Sequence, residues 1–156
     1  MLKIITKRED NMRVIFFFFF TSICTANWAQ SLEQKLSNFP ISTQNWLEQS
    51  CPKYLGPSLW KNCMEREMQA LSKGIPDVNT LSSEDKDWIE QSCPTYLGPS
   101  LYKNCMEREK NALKQGMPSL AGLSSSSKQW VLDSCPRYLG PSLYRSCLQR
   151  EITSLK

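Results

Sequence analysis

Seven cysteines and no histidine set the chemistry open to this 156-residue chain. Histidine is the commonest general base and the commonest transition-metal ligand, so its absence removes most hydrolase and metalloenzyme readings. Six of the cysteines fall into three pairs of equal spacing: Cys51 and Cys63, Cys93 and Cys105, Cys135 and Cys147. There is no C-x-x-C, so a thioredoxin-like redox pair is not expected. Zinc sites want closely spaced ligand pairs, and a spacing of 12 is wrong for them. Six cysteines admit many pairings, but pairing within each copy closes every copy identically. The expected framework is therefore Cys51–Cys63, Cys93–Cys105 and Cys135–Cys147, with no metal and no cofactor. Closing so short a loop removes about 3 kcal/mol of unfolded-state conformational freedom.

Carboxylates offer little more. Glu65 and Glu67 are two residues apart on one helix and face different ways, so they do not form an acid–base pair. No nucleophile–base pair can be assembled without histidine, and the expectation is a protein that is not an enzyme. Arg66, Arg108 and Arg150 recur in every copy, each followed by Glu67, Glu109 or Glu151. They read either as a row of cations for acidic ligands or as ion pairs to Glu48, Glu90 or Asp133. Tyr54, Tyr96 and Tyr138 lie in turns, where loops on a rigid scaffold tend to carry recognition. They are binding candidates, with closure of the small core over the disulfide as the other reading. Trp60, Tyr102 and Tyr144 read as packing residues, and Trp46, Trp88 and Trp130 as core.

These residues recur because the chain repeats. Trp46, Trp88 and Trp130 stand 42 residues apart, and residues 46–74 differ from 88–116 at only 7 of 29 positions. A period of this size marks a repeat architecture, in which one unit cannot bury its apolar face alone. Each unit opens with a linker whose apolar residues are spaced by three: Leu36 and Phe39, then Ile75, Val78 and Leu81, then Met117, Leu120 and Leu123. They are expected to be buried contacts between units. Ser82 can cap a short helix, with Asp85 three residues on, and Pro94 stops it after Cys93. The turn Pro94–Pro99 follows, with Gly98 free to take angles closed to other residues and Pro99 suited to a first helical position. A second helix is expected from about Pro99 to Gln115, striped by Leu101, Tyr102, Cys105, Met106, Ala112 and Leu113. Gly116 and Pro118 end it, as Gly74 and Pro76 do one unit earlier. No strand-like alternation occurs anywhere, so the fold class is all-α: three disulfide-stapled helical-hairpin repeats, over 30–71, 72–113 and 114–156.

Residues 1–29 read as a signal peptide. Arg13 is followed by an apolar run over 14–26 and then small residues, with cleavage after Ala29 preferred over Ala26. The run is shorter than the roughly 20 residues a membrane span needs, so membrane contact is expected only if this segment stays uncut. Met12 directly precedes Arg13 and is a candidate start. Cys24 lies inside the segment, and Ile23 is wrong for a lipoprotein signal. Removing it leaves six cysteines, the even count of an exported disulfide framework. The overall charge of +4 divides into +2 from the first 13 residues and +2 from the rest. That balance gives no basic surface for nucleic acid.

The pattern C-P-x-Y-L-G-P-S-L-Y-x-x-C-x-x-R-E-x-x-x-L resembles a cysteine-paired repeat of exported bacterial proteins, over nearly all of Trp46–Leu155. The resemblance implies an envelope location and no activity. Small cysteine-paired periplasmic lysozyme inhibitors are similar only in combining helices with cysteines. The expected function is an exported, non-enzymatic module that binds an envelope protein or cell-wall component, in the periplasm or outside the cell. The alternatives are a spacer or stress-resistance protein without a specific ligand, and a small periplasmic enzyme inhibitor.

Overall fold

A computed structural model describes residues 32–155. The expected signal peptide, with Met12, Cys24, Ala26 and Ala29, lies outside the described residues. Helix α1 is described over 32–36, followed by α2 (Ile41–Ser50), α3 (Pro57–Ser72), α4 (Ser83–Ser92), α5 (Pro99–Lys114), α6 (Ser125–Ser134) and α7 (Pro141–Ser154). No strand occurs among the described residues. The described residues divide into two compact units, with the boundary between Asn45 and Trp46 inside α2. In the first, Leu32 and Leu36 are buried and the Gln44 side-chain amide donates to the Phe39 carbonyl at 2.8 Å. The second holds the three cysteine pairs.

Local chemistry places the helix ends. The Ser82 hydroxyl accepts from the Asp85 amide at 3.1 Å and donates to its carboxylate at 2.8 Å, satisfying one of the free donors at the start of α4. Ser124 caps α6 in the same way through the Ser127 amide. Cys93 ends α4 with φ −117° and ψ 89°, the extended geometry expected before Pro94. The turn is itself structured: Thr95–Leu97 form a single 3-10 turn, as do Lys53–Leu55 and Arg137–Leu139. Gly98 then sits at φ 84° and ψ 162°, a region essentially reserved for glycine, and Pro99 opens α5. The first and second helices of each repeat are joined at this corner by a disulfide. The Cα–Cα distances are 5.7, 5.6 and 5.7 Å for Cys51–Cys63, Cys93–Cys105 and Cys135–Cys147. Three disulfides belong to an oxidising, exported environment.

The second and third repeats each have a small core. In the second, Val78, Ile89, Cys93, Cys105 and Met106 are buried together, with Leu81, Tyr102 and Leu113 against them. In the third, Val131, Cys135, Cys147, Leu148 and Ile152 are joined by Met117, Leu120, Leu123, Tyr144 and Leu155. The linker residues Val78, Leu81, Met117, Leu120 and Leu123 therefore pack within their own repeats, not between repeats as their spacing suggested. The linker runs back over the hairpin that follows it, because that hairpin supplies the nearest uncovered apolar face. Between repeats the contact runs helix to helix: α3 packs on α5, and α5 on α7.

Candidate interaction surface

The junction between repeats is polar and aromatic. Glu67 sits on the apolar stripe of α3, three residues after Met64 and one before Met68, and is only 2% exposed. Its carboxylate accepts from the Ser100 amide at 2.6 Å and the Ser100 hydroxyl at 2.8 Å, both at the start of α5 in the next repeat. Arg66 lies on the solvent side and donates to the same carboxylate through Nε at 2.9 Å. Glu109 repeats the arrangement, accepting from the Ser142 amide at 2.6 Å and hydroxyl at 2.7 Å while Arg108 pairs with it. A buried anion at a helix N-terminus meets free backbone donors and the positive end of the helix dipole. Arginine and serine complete the hydrogen bonding that a buried carboxylate requires.

Two further contacts close each junction. The indole N–H of Trp46 donates to the Thr95 carbonyl at 2.7 Å, and its ring meets Tyr102 edge-on at 5.6 Å. Trp88 donates to the Arg137 carbonyl at 2.7 Å and meets Tyr144 at 5.5 Å. Arg137 also lies over the Trp88 ring at 4.4 Å and pairs with Glu84 at 3.1 Å. Burial first, and the Glu90 carboxylate second, push the Tyr102 phenol above its ordinary 10.0, so it meets Trp46 as a neutral ring. Backbones approach closely here: a Cβ on Gly98 would fall 2.8 Å from Ser50 Oγ, and one on Gly140 2.7 Å from Ser92 Oγ.

The turn tyrosines face outward. Tyr54, Tyr96 and Tyr138 are 86, 81 and 82% exposed, with Leu55, Leu97 and Leu139 exposed beside them. Their rings do not cover the disulfides. Tyr138 and Arg137 line an open cleft of about 600 Å³ with Glu84, Asp87, Trp88 and Gln91 of the preceding repeat. The cleft combines aromatic faces, carboxylates and an amide, a lining that suits polar ligands with an apolar face.

Other expected roles are corrected. Arg66, Arg108 and Arg150 do not bridge to Glu48, Glu90 or Asp133; each pairs with the glutamate that follows it, at 2.8, 2.7 and 2.9 Å. Trp46 and Trp88 are half-buried at junctions, and Trp130 is 56% exposed, so none is a core residue. Trp60 stands where Tyr102 and Tyr144 stand later, under the Lys53 ammonium at 5.7 Å, and its buried N–H has no hydrogen-bond partner among the described residues. Charge argues for solvent, yet Glu67 and Glu109 are buried structural partners. Their place in the stripe, at helical spacing from Met64 and Leu71 or from Met106 and Leu113, was the available signal.

The surface presents exposed rings and an open cleft on a disulfide-stapled frame. Among the described residues no helix is long and apolar enough to cross a membrane, and no cluster of cysteine and carboxylate side chains converges as a metal site would need. Comparison with family models, with curated proteins and with solved structures found no match to this chain.

Proposed function

We propose that this is an exported, non-enzymatic binding module, acting in the periplasm or outside the cell on an envelope protein or cell-wall component. The observation that carries this reading is the set of three tyrosines, each more than four-fifths exposed on an identical disulfide-braced turn. An exposed aromatic ring with a polar tip is a low-entropy recognition element. Three on one frame give multivalent attachment, in which weak single contacts combine. The apolar run over 14–26 supports export by signal peptide.

The test is retention of the protein on isolated cell-wall and envelope fractions of the producing cell. Replacing Tyr54, Tyr96 and Tyr138 by alanine one, two and three at a time is expected to lower retention more steeply than in proportion. A triple variant retained as well as the parent would remove the turns from the binding face. The second reading is a spacer without a specific ligand, favoured by the junctions at Glu67 and Glu109, which make consecutive repeats a continuous body. It expects background retention and protease resistance that disappears on reduction.

A further inference from the structure

Each junction joins two different faces. The tail of one repeat supplies the tryptophan, serine, arginine and glutamate; the head of the next supplies the carbonyl, glycine, proline, serine and aromatic ring. Both internal junctions use the same parts at the same distances. The first repeat therefore carries a head, and the third a tail, with no described repeat to meet them. At the head, Pro57 and Ser58 are exposed where Pro99 and Pro141 are buried. A Cβ on Gly56 would meet nothing within 4 Å. At the tail, Trp130 is 56% exposed and Ser134 is exposed, where Ser50 and Ser92 are half-buried. The Glu151 side chain is 21% exposed against 2% for Glu67, and among the described residues its carboxylate pairs with Arg150.

The junction residues recur on both of these faces: Trp130, Ser134, Arg150 and Glu151 at the tail, Gly56, Pro57, Ser58 and Trp60 at the head. We infer that the protein associates with copies of itself head to tail, the tail of one chain docking on the head of the next as one repeat docks on another within the chain. Glu151 accepts from the amide and hydroxyl of Ser58 in the second copy. The Trp130 indole donates to the carbonyl of Lys53 in that copy, and its edge meets that copy's Trp60 ring. The contact continues an interface seen twice inside the chain, which is why the occupant is a second copy. A head-to-tail contact is not self-limiting: it adds chains to a filament unless the rotation closes a ring. The inference rests on the exposed head and tail faces and not on the turn tyrosines, so it stands apart from the binding role above.

The test is sedimentation velocity on the full chain recovered from an exporting host, from about 1 μM to about 1 mM. The mass is expected to climb with concentration beyond that of a dimer, and a monomer throughout would overturn the proposal. A head variant, Ser58→Glu, sets like charges against Glu151 while remaining favourable at its own helix N-terminus. A tail variant combines Trp130→Ala, at an exposed position, with Glu151→Ala, at a partly exposed one. Each alone is expected to stay monomeric with an unchanged far-ultraviolet circular dichroism spectrum. Mixed, they retain one intact head and one intact tail, so they are expected to form a one-to-one pair and nothing larger. Pairing in the mixture also shows that both variants are folded. Assembly of either variant at parental strength, or folded variants that fail to pair when mixed, would reject the head-to-tail contact. The triple tyrosine variant is expected to assemble as the parent does.

Discussion

Glu67, Glu109 and Glu151 are one residue type in one local sequence, yet they occupy different environments. Glu67 and Glu109 are buried against the next helix, and Glu151 has no described helix to cap. The energetic consequence differs accordingly. Removing the Glu109 side chain strands the Ser142 amide at a buried helix start and opens space under Arg108. Glu109→Ala is expected to cost on the order of 3 kcal/mol of unfolding free energy, the range for breaking a buried, hydrogen-bonded charge. Glu151→Ala, removing an exposed pair to Arg150, is expected to cost under about 1 kcal/mol. Urea denaturation of the two variants beside the parent checks this. Equal losses would mean that Glu109 is not a special contact.

At the scale of elements, the corner between the two helices of a repeat is braced three times over: by the disulfide, by the 3-10 turn and by a glycine in a conformation other residues avoid. The corner also has a second task in the later repeats, since a serine of the preceding repeat lies against Gly98 and Gly140. The two demands can be separated by experiment. Gly56 and Gly98 share nearly the same backbone angles, φ 87° and 84°, so an alanine at either carries similar strain of about 1–3 kcal/mol. Only at Gly98 does the new Cβ collide, 2.8 Å from Ser50 Oγ and 2.9 Å from its Cβ. Gly98→Ala is therefore expected to lose about 1–3 kcal/mol more than Gly56→Ala in urea titrations. Matching losses would place the whole effect in backbone strain and none at the junction.

Across the whole molecule, stability comes from small cores, covalent staples and neighbour contacts acting together. Five buried residues form the core of the second repeat and five that of the third, little for folding alone. Each disulfide closes a 12-residue separation and contributes about 3 kcal/mol in the chain-entropy picture. Reduction and alkylation are expected to collapse the helical signal at physiological temperature, read by far-ultraviolet circular dichroism. An unchanged urea midpoint after reduction would show that stacking alone suffices. Because the main packing runs between adjacent repeats, α3 on α5 and α5 on α7, the array is expected to behave as a sum of repeat and junction terms.

The sequence by itself determined the 42-residue period, the two-helix repeat, the helix ends at Ser82, Cys93, Pro99 and Gln115, and the three cysteine pairs. The period is read by aligning the chain with itself; the others depend on residues within about a dozen positions of one another, where capping, proline geometry and loop closure act. It did not disclose the 3-10 turns, nor which side each linker would cover, because an apolar spacing of three names no partner. Above all, it could not assign neighbours across the array. Trp46, Trp88 and Trp130 have nearly the same local sequence, yet two are held by the carbonyls of the following repeat and the third is exposed. Nothing in the residues around Glu67 shows that the start of α5 buries it. Identical local sequences meet different surroundings according to their place in the array, and only the tertiary structure records that place.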